Sequence, residues 1–149
     1  MNIQNIKIKL LNENAIIPTY GSEYSAGADL YACIKEKIII KKGETAFINT
    51  GIALEIPTGF VGLVYARSGL GCKKGLAPSN KVGVIDSDYR GEIIVALHNH
   101  SQISHEINPN DRIAQIVFTP YLKGNFQITS DLEDTTRGSG GFGSTDKEN

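Results

Sequence analysis

Residues 51–66 read GIALEIPTGFVGLVYA. Ile52, Leu54 and Ile56 alternate with smaller or polar neighbours. After Pro57 and Gly59 the alternation resumes, with Val61, Leu63 and Tyr65 on one face. A period of two with a Pro/Gly break between the runs is the pattern of two strands joined by a tight turn.

The same grammar extends outward in both directions. IKIKL places Ile6, Ile8 and Leu10 opposite Lys7 and Lys9, and KEKIIIKKGE reads as a short strand running into a turn at Gly43. GEIIVALHN and RIAQIVFTP are rich in β-branched residues, and Pro120 stops the second. No long segment keeps a helical period with caps at both ends. The best helical candidate is SGLGCKKG, with Ser68 as its cap and Gly75 as its close, held to about two turns by its glycines. The expectation is an all-β jelly roll or β-barrel of short strands with one short helix after Arg67. The apolar pattern fades near Ser130, where acidic residues and glycines take over. We therefore expect a packed domain over residues 1–130 and a mobile arm over 131–149.

The chain has 149 residues, 40% of them hydrophobic and 21% charged, which suits a single core. A net charge of -1 lacks the basic excess of a nucleic-acid or anionic-membrane binder. Cys33 and Cys72 form no CxxC pair, which points to two reduced thiols in a cytoplasm rather than a disulfide framework. MNIQNIKIKL alternates polar and apolar residues, unlike a secretory signal or membrane span.

Six groups of residues could carry chemistry. In NKVGVIDSDYRGE, Val82, Val84 and Ser87 read as strand residues. Asp86 and Asp88, two apart, would share a face of an extended chain, either as solvated acids near Arg90 or as a general base on a rigid hairpin. In YARSGLG, Arg67, Ser68 and Gly69 combine a guanidinium, a hydroxyl and free N–H groups, the makings of an anion site or of an ordinary helix cap. Asp29 is the lone carboxylate in SAGADLYA, where an Asx turn would explain it. In NDRIAQIVF, Arg112 and Gln115 begin an apolar strand, and Gln115 needs partners unless it faces water on an edge. His98 and His100 share a strand face with His105 beyond, but their spacing fixes no third metal ligand.

The sixth group is the tail, RGSGGFGST. Arg137 suits phosphate oxygens, glycine-rich backbone suits an anion nest, and Phe142 suits stacking on a base. One stack is worth about 1–3 kcal/mol and one arginine contact about 1.5–3 kcal/mol. Ordering costs about 1–2 kcal/mol per residue, so these contacts alone do not order the arm. It should order only when several phosphate contacts and a docking surface act together.

Taken in order, AGADL, ARSG, GVIDSDYRGE, DRIAQ and RGSGGFGST resemble the five motifs of the trimeric dUTPases, from about Ala26 to Thr145. The resemblance implies a β jelly roll assembled as a homotrimer, each site drawing on more than one subunit, with the arm closing over a neighbour's site. It implies hydrolysis of dUTP to dUMP and pyrophosphate with Mg2+ on the triphosphate, which limits uracil in DNA and supplies dUMP for thymidylate synthesis. By residue, it implies that Asp86 activates the water attacking the α-phosphorus. Asn80 and the Gly83, Val84, Ile85 backbone would read uracil, and Tyr89 would lie against the deoxyribose and exclude a 2′-hydroxyl. Arg67, Ser68, Gly69 and Gln115 would meet phosphates, and Asp29 would act on the metal through water. Arg137 would meet the γ-phosphate and Phe142 would stack on uracil. Gly141 and Gly143 would form the backbone between, with Ser144 and Thr145 as phosphate-side hydroxyls. The location implied is cytoplasmic, or the host cytoplasm for a viral protein.

Two positions depart from the family pattern: Ala66 stands where proline is common, and Asn110 where glycine is common before Asp-Arg. Two other readings fit the sequence. One is a nucleotide-binding regulatory module with a protein partner. The other is a dCTP deaminase, whose chemistry needs a glutamate base where this hairpin carries IDSDYRG.

Overall fold

The computed structural model describes residues 3–142. Among these residues eleven strands form three antiparallel sheets. The first sheet runs in the order β1 (Lys7–Leu10), β5 (Thr45–Glu55), β9 (Glu92–Asn99), β7 (Leu76–Pro78). The second runs β2 (Thr19–Tyr20), β3 (Ala28–Tyr31), β11 (Arg112–Pro120), β6 (Phe60–Tyr65), β8 (Gly83–Ile85). A small ribbon pairs β4 (Ile38–Ile40) with β10 (His105–Ile107). One continuous core draws Ile48, Ile52, Leu54, Val95 and Leu97 from the first sheet, and Leu30, Val64, Ile113 and Ile116 from the second. Two sheets therefore face each other across a shared apolar layer. The all-β expectation holds.

The opening stretch needs one refinement. Val61, Leu63 and Tyr65 do share a face, with Val61 buried and the other two half-buried, but it is Val64 and Phe60 of the opposite face, beside Gly62, that join the central cluster. Gly62 carries no side chain because Ile116 and Ile56 fill that space: an added Cβ would sit 3.0 Å and 3.1 Å from their Cδ1 atoms. With a glycine there, the alternation alone does not say which face meets the central cluster.

β5 is the other irregular strand. Its pairing with β9 slips between Asn49 and Ala53, and Gly51 takes φ 70 within that bulge. The Thr50 hydroxyl, buried at the bulge, donates to the Ile93 carbonyl at 2.5 Å. Asn99, fully buried, donates to the carbonyls of Ile40 and Ile103 and accepts from the Ser101 N–H and hydroxyl. Among the described residues no buried side-chain nitrogen or oxygen lacks a partner.

The helix expected after Arg67 is a π-helical turn, Gly69–Lys74, closed by Gly75 at φ 68 as expected. Ser68 does not cap it. A capping serine needs extended backbone to fold its hydroxyl onto the first N–H groups, and Ser68 is already helical at φ -54, ψ -42. Its hydroxyl is left to face a cleft instead. Past Pro120, the Tyr121 N–H bonds the Gly59 carbonyl, and Leu122, Phe126, Ile128 and Leu132 stand almost fully exposed. No helix among the described residues is long and apolar enough to cross a membrane.

Candidate active site

Asp29 lies on β3, opposite Gln115 of the central strand β11, and Gln115 in turn lies opposite Tyr65 at the end of β6. This register places Arg67, two residues beyond Tyr65, beside Asp29. Arg67 Nε donates to Asp29 Oδ1 at 2.6 Å and a terminal nitrogen reaches Oδ2 at 3.4 Å. Arg112, from the start of β11, donates to the same Oδ2 at 3.2 Å. Asp29 is 7% exposed, so its carboxylate is held by two guanidiniums with little water between them. It is therefore no Asx turn but the centre of an arginine clasp.

Gln115 is not an edge residue either. Its amide donates to the Ala66 carbonyl at 2.9 Å, which fixes the chain just before Arg67. The side chain also crosses over Gly27, where an added Cβ would overlap its Oε1. Together Gly27, Asp29, Arg67, Ser68, Arg112 and Gln115 line one open, cationic cleft. Arg112 is the member whose role the sequence reading missed; the Asp-Arg pair of DRIAQ was its signal.

The hairpin residues make a second cleft, which shares no lining residue with the first. Val84, Ile85, Asp86, Tyr89 and Glu92 line it together with Ile93 and Ile94. β8 covers only Gly83–Ile85 and is an edge strand, so one side of its backbone has no strand partner. Val82 and Ser87 lie outside it. Gly83 is buried against Val64, and the Asn80 amide approaches it: an added Cβ would meet Val64 Cβ at 3.2 Å and Asn80 Nδ2 at 3.5 Å. Asp86 and Asp88 are not on one extended face. The chain turns after Ile85, with the Tyr89 N–H donating to the Asp86 carbonyl at 3.2 Å. Arg90 pairs with neither acid; it donates to the Ser87 and Tyr89 carbonyls at 2.7 Å and 3.1 Å. Asp86 is left exposed at the mouth of the cleft.

The described residues of the arm line neither cleft. Arg137 Nε donates to the Gly140 carbonyl at 2.9 Å, Gly141 is exposed, and so is Phe142. Gly143, Ser144 and Thr145 lie outside the described residues.

The described residues gather no group of three or more His, Cys, Asp or Glu side chains able to cage a metal. His98 and His100 touch ring to ring at 4.4 Å, but His98 Nδ1 is engaged with the Thr45 hydroxyl and Lys81 stands 3.5 Å from His100 Nε2. A cation there would face an ammonium. The Asp29 carboxylate is likewise occupied by two arginines. This donor set fits a Mg2+ ion held by substrate phosphates, which needs only one or two protein carboxylates, and not a dedicated protein cage.

The family model for dUTPase matches residues 13–146, nearly the whole chain. The chain belongs to the dUTPase family. It is 48% identical over 142 residues to a deoxyuridine 5′-triphosphate nucleotidohydrolase of Nautilia profundicola, covering 95% of this chain and 99% of that one. A protein of the same description from Paraburkholderia phytofirmans is 43% identical, covering 88% and 89%. Among solved structures, the Staphylococcus bacteriophage 80alpha dUTPase with dUpNHpp superposes with a TM-score of 0.86 at 28% identity, covering 95% of this chain and 98% of that one. A mutant dUTPase from phage phi11 of S. aureus, described with a structural Mg(II) ion, gives 0.79 at 25% identity, covering 88% and 100%.

The two departures from the family pattern now have a physical reading. Asn110 adopts φ 67, so the common glycine marks a left-handed turn residue, and asparagine is the next residue type to tolerate it. Ala66 contributes its carbonyl to Gln115, a contact that proline would also allow.

Proposed function

We propose that this chain is a homotrimeric dUTP diphosphatase whose sites are assembled from the two clefts of different subunits. The observation that carries this reading is their separation. Ile85, the last residue of β8, lies opposite Gly62 near the start of β6, and Arg67 follows two residues after β6 ends at Tyr65. At roughly 3.3 Å per residue, Gly62 and Tyr65 alone are about 10 Å apart along the strand, and Asp86 and Arg67 follow from those two separate ends. A general base must come within hydrogen-bond reach of the water it activates. The separation of the two clefts supports a reading in which the Asp86 and the Arg67 that act on one phosphate come from different subunits.

In this reading the free backbone edge of β8 pairs with the uracil edge, and Asn80 closes the turn beside it. The tightness of this hairpin, with Gly83 packed against Val64, would leave a 5-methyl group no room. The Tyr89 ring forms the wall against the deoxyribose. Arg67, Ser68, Gly69 and Gln115 of the other subunit hold the phosphates, with Arg112 added to that set. A Mg2+ ion carried by the triphosphate would supply charge neutralisation, and Asp29, the carboxylate lining the Arg67 cleft, would hold it through water. Asp86 accepts a proton from water as the water oxygen bonds the α-phosphorus. The bond from that phosphorus to the α,β-bridging oxygen breaks, releasing dUMP and pyrophosphate.

In this reading residues 131–149 form the arm of a 1–130 body; the last strand ends at Pro120 and residues 122–142 are exposed almost throughout, so the exposed segment begins before Ser130. Arg137 and Phe142 would leave their present positions to meet the γ-phosphate and the base. The test is hydrolysis of dUTP beside dTTP, dCTP and UTP, with and without Mg2+, for the parent and Asp86→Asn. Pyrophosphate release from dUTP alone, nearly abolished in Asp86→Asn with dUTP binding kept, is expected. Ammonia from dCTP, or an Asp86→Asn enzyme near the parental rate, would overturn it.

A further inference from the structure

Glu92 opens β9 at the point where the hairpin joins the core sheet. Its side chain turns back onto the β5 bulge. Oε1 accepts the Gly51 N–H at 2.7 Å, and Oε2 accepts the Asn49 side-chain amide at 2.7 Å. The bulge turns the Gly51 N–H out of the ladder, so a carboxylate is its partner in place of a strand carbonyl. The main chain of Glu92 makes a different contact. Its carbonyl accepts the Tyr89 hydroxyl at 3.0 Å. Between them, the Tyr89 ring crosses Gly91 so closely that an added Cβ would lie 2.5 Å from its Cζ. The ring is thus pinned at its hydroxyl and along its edge, and both contacts depend on where β9 begins.

We propose that Glu92 is a positioning residue for substrate selection: by tying the start of β9 to the β5 bulge, it fixes the Tyr89 wall that separates deoxyribose from ribose. This inference rests on the dUTP diphosphatase reading, because it takes Tyr89 as the sugar contact. The chemistry is indirect. Glu92 touches no reacting atom, and its loss lets the Glu92 carbonyl and the Tyr89 hydroxyl drift together. The wall loosens, and a 2′-hydroxyl is admitted.

The experiment compares full-length parent, Glu92→Ala and Glu92→Gln. It reads kcat and KM for dUTP and for UTP, the thermal midpoint, and calorimetric binding of dUDP and UDP. Glu92→Ala is expected to lower the dUTP-to-UTP ratio of kcat/KM by about tenfold or more at temperatures where it is fully folded. Glu92→Gln should keep the ratio within about threefold, since its carbonyl still accepts the Gly51 N–H while the exposed Asn49 amide rotates. A Glu92→Ala enzyme that is less stable but keeps the parental ratio would overturn the inference and leave the diphosphatase reading standing. Where Glu92→Ala does not fold, Asn49→Asp sets a second carboxylate against Oε2 from an exposed position. A ratio unchanged in that variant would be equally decisive. A parent that binds neither dUDP nor UDP would remove the diphosphatase reading and this inference with it.

Discussion

Replacing Gly91 with alanine should separate function from stability. The backbone at Gly91 is outside the left-handed region, so alanine fits its conformation. Its Cβ would overlap the Tyr89 hydroxyl and lie 2.5 Å from Cζ and 2.9 Å from Cε2. Ordinary carbon contacts begin near 3.5 Å, so the ring must move by about 1 Å. Tyr89 is 44% exposed and swings outward without opening the core. Two stability effects oppose each other. Removing a glycine from the unfolded chain gains about 0.4–1 kcal/mol, and losing the Tyr89–Glu92 hydrogen bond costs about 0.5–1.5 kcal/mol. The net is within about 1 kcal/mol, or about 2–4 °C in thermal midpoint for a chain of this size. A 1 Å misplacement of a substrate-positioning group costs on the order of 100-fold in rate. Calorimetry and steady-state dUTP hydrolysis measure the two effects on one preparation. A midpoint lowered by more than about 8 °C would show that the backbone, not the ring, gives way. Parental turnover would show that the ring position does not matter to the site.

Other outcomes follow from the same contacts. Gly51→Ala and Gly43→Ala both place alanine at positive φ, 70 and 75, but only Gly51 is crowded, with Ala15 Cβ and Cys33 Sγ each 2.8 Å from the new Cβ. Gly43→Ala should cost about 1 kcal/mol from backbone strain and Gly51→Ala roughly 2–5 kcal/mol with overpacking added; equal urea midpoints for the two would refute the packing account. Ending the chain after Thr136 removes Arg137 and Phe142, and we expect dUTP turnover to fall sharply with a far-ultraviolet circular dichroism spectrum unchanged. Full turnover in that truncation would remove the arm from the mechanism. Slight desolvation of the exposed His100 ring, with Lys81 and then His98 nearby, holds its pKa below the ordinary 6.5. The unfolded chain therefore binds more protons at this site than the folded one as pH falls through 6.5, so the stability from neutral His100, fully present above that pH, is lost on the acid side. His100→Gln should show a shallower decline in thermal midpoint between pH 7 and 5 than the parent, and parallel curves would contradict this.

Much of the fold was legible because strand alternation is local: each residue's side is set by its immediate neighbours. The runs at β5, β9 and β11 were found from that signal, and the positive φ of Gly43 and Gly75 agrees with the turns placed there. At β6 the alternation placed Val61, Leu63 and Tyr65 on one face, but with Gly62 on the other it did not say which face meets the central cluster. It misled at Asp86 and Asp88, because a turn bonded through Tyr89 ends the alternation without a proline to announce it. At Ser68, residue type suggested a cap that the backbone angles rule out.

By itself the sequence determined the strand periods, the missing long helices and a set of motifs ordered along the chain. Only the tertiary structure decided which of them meet. Arg112 and Asp29 are 83 residues apart and touch because β11 lies against β3. Glu92 reaches Gly51 because β5 bulges opposite it. Asp86 and Arg67, close in sequence, sit at opposite ends of β6 because β8 runs antiparallel to it. Periodicity records which side of a strand a residue faces; sheet order and register decide which residues share a site, and those are set by packing between segments remote in the chain.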